Sequence, residues 1–285
     1  MSGTAKSLRK FLDASPLAVL VEVTKAKGST PREKGAWMLV SPTAIFGTIG
    51  GGQLEFMAID RAREMVALKG EGIATLDIPL GPEIGQCCGG RGELSIRIIY
   101  EPTKADLIAA AVAEDAKLPH IHVFGGGHVG HALASAFALL PVHVVVVETR
   151  ADALEGIPEN IETRLTPVPE EMVRDAPAGS AFVVLTHDHA LDFLIVAEAL
   201  KREDAAYVGM IGSKTKKATF RSWYLKTAGG TEADFARLVS PIGGDKVKDK
   251  RPAVIAALAA AEIMTALAAG SKSLADGRPG RALAG

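Results

Sequence analysis

The first hundred residues carry short apolar or alternating runs, Leu17–Thr24, Trp37–Val40, Ile45–Ile49, Ile73–Pro79 and Leu94–Tyr100, separated by turn-forming residues. Such runs predict strands of an antiparallel sheet, with Ser41-Pro42-Thr43-Ala44 as a hairpin turn. One helix interrupts them: after Gly50-Gly51-Gly52, the residues Leu54, Ala58, Ile59, Ala62, Met65 and Val66 recur at helical spacing across Gln53–Lys69, which Gly70 closes. Glu101–Lys117, with Pro102 at its start, reads as an alanine-rich helix that runs out before Pro119. The period then changes. Ile121–Phe124, Val142–Val147, Ile161–Leu165, Ala181–Leu185 and Tyr207–Ile211 are β-rich runs with helical patterns between several of them, the pattern of a doubly wound parallel sheet. A further strand falls near Leu238–Ile242 and a helix at Ala253–Ala268. Gly270–Gly285, poor in apolar residues, is expected to be a flexible tail.

Composition adds mainly exclusions. With 48% hydrophobic residues, 23% charged residues and a net charge of -1, the 285-residue chain is a folded one of two domains. It has no global field, and no basic stripe interleaved with aromatics, for gripping a phosphate backbone, so nucleic acid is excluded as a partner. Glu22 interrupts the apolar stretch Pro16–Val23 and Glu262 interrupts Ala253–Ala269, so neither reads as an uncharged membrane-spanning length. Lys6, Arg9 and Lys10 precede a short apolar run without a small-residue cleavage site, so no secretory signal is expected and the cytoplasm is the expected compartment.

The only two cysteines, Cys87 and Cys88, are adjacent and enclosed by glycines in Gly85-Gln86-Cys87-Cys88-Gly89-Gly90. A reducing compartment and the strain of a disulfide between neighbours argue for free thiols, and two cysteines supply at most half of a structural zinc site. Small buried hydrophobes are the competing reading. Two more glycine-rich elements lie in the same half: Gly28-Ser29-Thr30-Pro31-Arg32, and Gly47-Thr48-Ile49-Gly50-Gly51-Gly52-Gln53-Leu54-Glu55. Such loops bring backbone N–H groups and an arginine toward an anion, and Gly50–Gly52 ahead of a helix read as an anion site.

In the second half, Gly125-Gly126-Gly127-His128-Val129-Gly130 follows a predicted strand and opens a helix, with Glu148 ending the next strand about 20 residues on. Gly125, Gly127 and Gly130 then suit a pyrophosphate at a helix N-terminus, and Glu148 a ribose hydroxyl. A plain β-to-α turn is the alternative. Arg150 would reach a 2′-phosphate that Glu148 repels, so the choice between NAD and NADP stays open. Thr186-His187-Asp188-His189 and Gly209-Met210-Ile211-Gly212-Ser213-Lys214 fall at later strand ends, where an open α/β sheet places its crevice. His187 and His189 with Asp192 would be a metal site or, the favoured reading, a helix N-cap region; Lys214, Lys216 and Lys217 read as a solvated face. The fold class is thus α/β: an N-terminal α+β domain with antiparallel strands over 1–102, a linker helix over 103–118, a C-terminal Rossmann-like doubly wound parallel sheet over 119–269, and a tail over 270–285.

Through the three N-terminal elements, and through Phe124–Gly130, Thr186–Asp192, Tyr207–Lys214 and Ser240-Pro241-Ile242-Gly243, the chain resembles the bacterial xanthine dehydrogenase accessory proteins of the XdhC/CoxI family. The resemblance implies a chaperone of purine catabolism rather than an enzyme. Such a protein binds molybdenum cofactor, protects it while an oxo ligand is exchanged for sulfido, and inserts it into xanthine dehydrogenase. It implies that Arg32 and the amides of Gly50, Gly51 and Gly52 hold the cofactor's phosphate, that Gln86 bonds the pterin or an oxo group, and that Cys87 or Cys88 approaches the metal. The implied partners are the molybdenum-binding subunit of xanthine dehydrogenase, a cysteine desulfurase and a molybdenum cofactor cytidylyl- or guanylyltransferase-like protein; a homodimer rests on the resemblance alone. The stretch from Gly244 to Pro252 departs from the family pattern, which runs into Pro-Glu-Glu-Ile. A rival reading is an NAD(P)-dependent oxidoreductase using Gly125, Gly127, Gly130 and Glu148 with a thiol as acid or nucleophile, and a third makes the second half a docking module with an empty nucleotide site.

Overall fold

The computed structural model describes residues 5–68, 72–80 and 90–275. The chain divides into two units, Met1–Lys117 and Leu118–Gly285. Among the described residues, the first unit holds α1 (Ala5–Ala14), β1 (Ala18–Lys27), β2 (Trp37–Val40), β3 (Ile45–Gly47), α2 (Gly52–Ala67), β4 (Ile73–Leu80), β5 (Gly90–Ile99) and α3 (Glu101–Asp115). Its five strands form one antiparallel sheet in the order β3-β2-β1-β5-β4.

Alternation along β1 explains the layering. Val19, Val21 and Val23 pack with Leu54, Ala58, Ala62 and Met65 of α2 on one face. Ala18 and Leu20 pack with Leu8 and Leu12 of α1 on the other. Each valine, leucine or methionine side chain so removed from water contributes about 1.5–3 kcal/mol. The predicted hairpin forms as the Ser41 N–H donates to Ala44 O at 2.8 Å and the Ala44 N–H to Ser41 Oγ at 3.0 Å. The register between β1 and β5 slips between Val23 and Lys25, a β-bulge that leaves Thr24 as the extra residue.

Two elements differ from the sequence reading. Helix α1 is absent from it, although Leu8 and Leu12 stand four apart; both are buried under the sheet. The helix expected to link the domains instead belongs to the first unit, because Leu107, Ile108 and Ala111 of α3 pack on the α1 side of the sheet, where Asp115 accepts from the Ala5 N–H at 2.7 Å.

The second unit is a six-stranded parallel sheet, β11-β10-β9-β6-β7-β8. Its strands are β6 (His120–Phe124), β7 (His143–Glu148), β8 (Glu162–Leu165), β9 (Ala181–Val184), β10 (Tyr207–Met210) and β11 (Leu238–Val239). Its helices are α4 (His128–Phe137), α5 (Glu171–Asp175), α6 (His189–Lys201), α7 (Lys214–Lys226), α8 (Glu232–Ala236) and α9 (Pro252–Ala275). Strands β7, β9 and β10 are buried on both faces, as a parallel sheet between helices requires, whereas the edge strand β8 is largely exposed. One core joins Ile121, Val123 and Val146 to α4 and α9; the other joins Phe124, Phe182 and Val184 to α5, α6 and α7.

Helix α9 runs to Ala275, past the start of the expected tail; the rest of that segment lies outside the described residues. Its window Pro252–Ala269, mean hydropathy 1.8, is long and apolar enough to cross a membrane by length and composition. One stripe of it, Ala256, Ala259, Ile263 and Leu267, sits in the core with α4. Glu262, the charge within that run, accepts from the Tyr207 hydroxyl at 2.5 Å and from the Gly243 N–H at 3.2 Å. Burial, then this neighbour, raises the Tyr207 pKa.

His122 of β6 is 3% exposed, its ring 5.6 Å from that of Phe182, and its Nδ1 has no hydrogen-bond partner. Burial, aided by the nearby His120 and His143, pushes its pKa down to about 4. Between about 6.5 and about 4 the unfolded chain binds the proton and the folded one does not, so stability is full above that window and falls as pH drops through it. We expect the loss to reach about 3 kcal/mol near the lower limit. Urea unfolding of the wild type and His122→Leu at the two ends of the window checks this: the variant should show a distinctly smaller drop.

Candidate functional site

The first two glycine-rich elements of the first unit meet at one end of its sheet, beside the two ends of the third. Strand β1 delivers Gly28–Arg32, and β3 delivers the turn into α2. A Cβ on Gly50 would lie 2.5 Å from Pro31 Cβ and 3.2 Å from Arg32 Cγ, so the second element lies directly on the first and only glycine fits there. The third is tied in through its base. Leu80 pairs with Gly90 across β4 and β5, and a Cβ on Gly90 would lie 2.3 Å from Ser29 O. A small, largely apolar depression between these loops is lined by Thr30, Pro31, Arg32, Ile49 and Leu54, with Arg32 itself exposed. Gln86, Cys87 and Cys88 lie outside the described residues, on the segment between Leu80 and Gly90.

The glycine triplet differs from the expected anion cradle. Oε2 of Glu55, in the first turn of α2, accepts from Thr48 Oγ1 at 2.5 Å, from the Ile49 N–H at 2.9 Å and from the Gly51 N–H at 3.1 Å. The Gly50 N–H donates to Thr48 Oγ1 at 3.0 Å. The amides assigned to a phosphate are therefore engaged, at Gly50 and Gly51, by the chain's own oxygens. What Gly50 supplies is the close approach that seats the Arg32 stem. Gly52 opens α2 and is exposed.

In the second unit the strand order reverses between β6 and β9, which places the crevice at the glycine turn and the Leu185–His189 turn. Gly125 packs against Leu185 O, and Gly130 against Gly125 O, at 2.5 and 2.1 Å from where their Cβ atoms would be. Gly127 is exposed with open space beside it. Glu148 is only 3% exposed. It accepts from the Gly126 N–H at 2.9 Å, the Thr149 N–H at 2.7 Å, Thr149 Oγ1 at 3.1 Å and the Arg150 N–H at 3.2 Å, and it pairs with the Arg150 guanidinium at 3.3 Å.

Across the crevice, the residues considered for a metal do other work. Asp188 caps α6, its Oδ1 accepting from the Ala190 N–H at 2.8 Å, as the N-cap reading expects. His187 and His189 are exposed. Asp192 is fully buried, accepts from the Thr186 N–H at 2.9 Å and from Thr186 Oγ1 at 2.7 Å, and is ion-paired with Lys216. Among the described residues no group of three or more His, Cys, Asp or Glu is placed to hold a metal ion.

Lys216 thus departs from the solvated face on which the sequence reading put it. It is buried, and Nζ also donates to Ile211 O at 3.0 Å, so one ammonium joins the turns after β9 and β10. Lys214 remains exposed, and Lys217 stands 5.8 Å over the Phe235 ring.

Fold and site define a two-unit α/β protein: an antiparallel unit with converging glycine loops and a Rossmann-like parallel unit. The XdhC Rossmann domain matches residues 121–263, and the XdhC and CoxI family matches residues 12–77. The chain belongs to the XdhC family. It is 25% identical over 256 residues to the uncharacterized protein YqeB of Escherichia coli (strain K12), a match covering 86% of this chain but 42% of that protein. The crystal structure of a xanthine dehydrogenase from Bacillus halodurans superposes with a TM-score of 0.72 at 16% identity, covering 93% of this chain and 96% of the other; that likeness is one of fold.

Breaking the buried pair should be costly. Lys216→Met, which strands the Asp192 carboxylate, is expected to lower stability by about 3–5 kcal/mol, and Lys216→Met with Asp192→Asn by clearly less than the sum of the singles. A double-mutant cycle in urea reads this directly.

Proposed function

We propose that the chain is a molybdenum-cofactor chaperone that holds the cofactor as cargo in its first unit, shields it during sulfuration and passes it to xanthine dehydrogenase. The observation that carries this reading is the convergence of Gly28–Arg32, the turn Gly47–Gly52 and the base of the cysteine segment, through Gly50 on Pro31 and Gly90 on Ser29. The cargo is a pterin dithiolene bearing a phosphate and a metal, and the loops offer matching chemistry. Arg32 gives an exposed, always-charged fork for phosphate, Gln86 an amide for the pterin or an oxo group, and Cys87 and Cys88 thiolates for the metal.

The phosphate contact falls to Arg32 in this reading, because the Gly50 and Gly51 amides are already paired. Work of this kind is differential binding and release. The chain need supply no bond-making residue, and the sulfur comes from a cysteine desulfurase. The molybdenum-binding subunit of xanthine dehydrogenase is the acceptor, a cytidylyl- or guanylyltransferase-like protein is a further contact, and the setting is the cytoplasm.

The purified chain mixed with molybdenum cofactor and freed of unbound ligand should retain molybdenum and pterin fluorescence together. Cys87→Ala with Cys88→Ala should cut retention at least about tenfold, and Arg32→Ala by about three- to tenfold, the loss of one charge-assisted contact. Undiminished loading by the double cysteine variant would sink this reading.

A further inference from the structure

We propose that Glu148 is a structural clamp of the glycine turn rather than a ribose acceptor, and that the Rossmann-like unit takes no adenine dinucleotide. A residue that reads a ribose diol must turn acceptor lone pairs toward the ligand, and a carboxylate has about four. In this chain Oε1 of Glu148 receives the Thr149 N–H, the Thr149 hydroxyl and the Arg150 N–H, while Oε2 receives the Gly126 N–H and Nη2 of Arg150. Five donors of the chain itself saturate it.

Two further features close the same side of the crevice. The turn Asp152–Leu154 after β7 lies on the glycine turn, with Ala153 O 2.3 Å from the position of a Cβ on Gly126 and 3.0 Å from Nε2 of His131 in α4. Backbone therefore occupies the ground between the first two βα turns, where the adenosine half of a dinucleotide lies. Arg150, the group that would greet a 2′-phosphate, is exposed but paired with Glu148 through its guanidinium. The glycines that match the dinucleotide pattern are accounted for in part by packing within the unit, since Gly130 sits on Gly125 O and Gly126 on Ala153 O.

The electrostatics agree with the geometry. Burial raises the Glu148 pKa, but the donors from Gly126, Arg150 and Thr149 outweigh it and bring the group down to about 2. A group so depressed adds stability above about 4.5 that is lost only as pH falls toward 2. The clamp is thus charged throughout the neutral range.

The test uses the full chain. Thermal unfolding is recorded with and without about 1 mM NAD⁺, NADH, NADP⁺ or ADP, alongside direct titration of NADH fluorescence on the wild type, because a ligand of the folded state must raise Tm by mass action. We expect every nucleotide to move the wild-type Tm by less than about 1 °C, and Glu148→Gln and Glu148→Ala to lower Tm by about 3–10 °C without nucleotide. Saturable NADH binding to the wild type, or a nucleotide-dependent rise in Tm that Glu148→Gln abolishes, would overturn the proposal. So would a Glu148→Ala protein as stable as wild type. Should that variant not fold, the wild-type titration decides alone. The outcome is independent of cargo binding in the first unit.

Discussion

Backbone amides in a glycine turn ahead of a helix must find an acceptor, because an unpaired N–H away from water costs about as much as a lost hydrogen bond. In each unit a glutamate of the chain itself answers that need. Glu55 gathers the Thr48 hydroxyl and the Ile49 and Gly51 amides in the turn before α2; Glu148 gathers the Gly126 amide in the turn before α4 together with the Thr149 and Arg150 donors that follow β7. Positive partial charge at a helix N-terminus favours an anion there, and a carboxylate at the end of a short side chain supplies it without any ligand. Each turn is thereby fixed in shape before it meets anything from outside. Gly127 then faces outward on one such turn, and Arg32, on the neighbouring Gly28–Arg32 loop, is exposed beside the other.

Much of the fold could be read from periodicity. Alternation marked the antiparallel strands, continuous apolar runs marked the parallel ones, and the change of period near Pro119 coincides with the passage to the second unit. The failures share a cause: they concern partners far apart in sequence. Glu55 stands seven residues from Thr48, outside any capping spacing, and Asp192 stands 24 from Lys216. A lysine among lysines on an amphipathic helix looks like surface, and only the buried carboxylate opposite shows otherwise. Helix α1 is a separate case: its packing signal is little more than Leu8 and Leu12 among the cations Lys6, Arg9 and Lys10.

The candidate site was legible as chemistry before it was legible as geometry. Three glycine-rich elements in one half of a chain are more than turns require, and their meeting around Pro31 and Ser29 shows why two of the glycines are needed: backbone must pass where a side chain would collide. Motif logic counts donors without asking whether the chain has already used them, and at the triplet the Gly50 and Gly51 amides already have acceptors of the chain itself. A glycine pattern reports close approach, and the approaching atoms here include the chain's own carbonyls at Leu185, Ala153 and Gly125.

The slip at Thr24 reaches beyond its own pair of strands. Val19, Val21 and Val23 point into the α2 core, and strict two-residue phase would send Lys25 after them; with one supernumerary residue the inward place passes to Ala26. Lys25 is released to the outer surface, where Nζ meets Glu93 at 2.8 Å. Parity at a single position therefore decides whether an ammonium or a methyl group enters the interior.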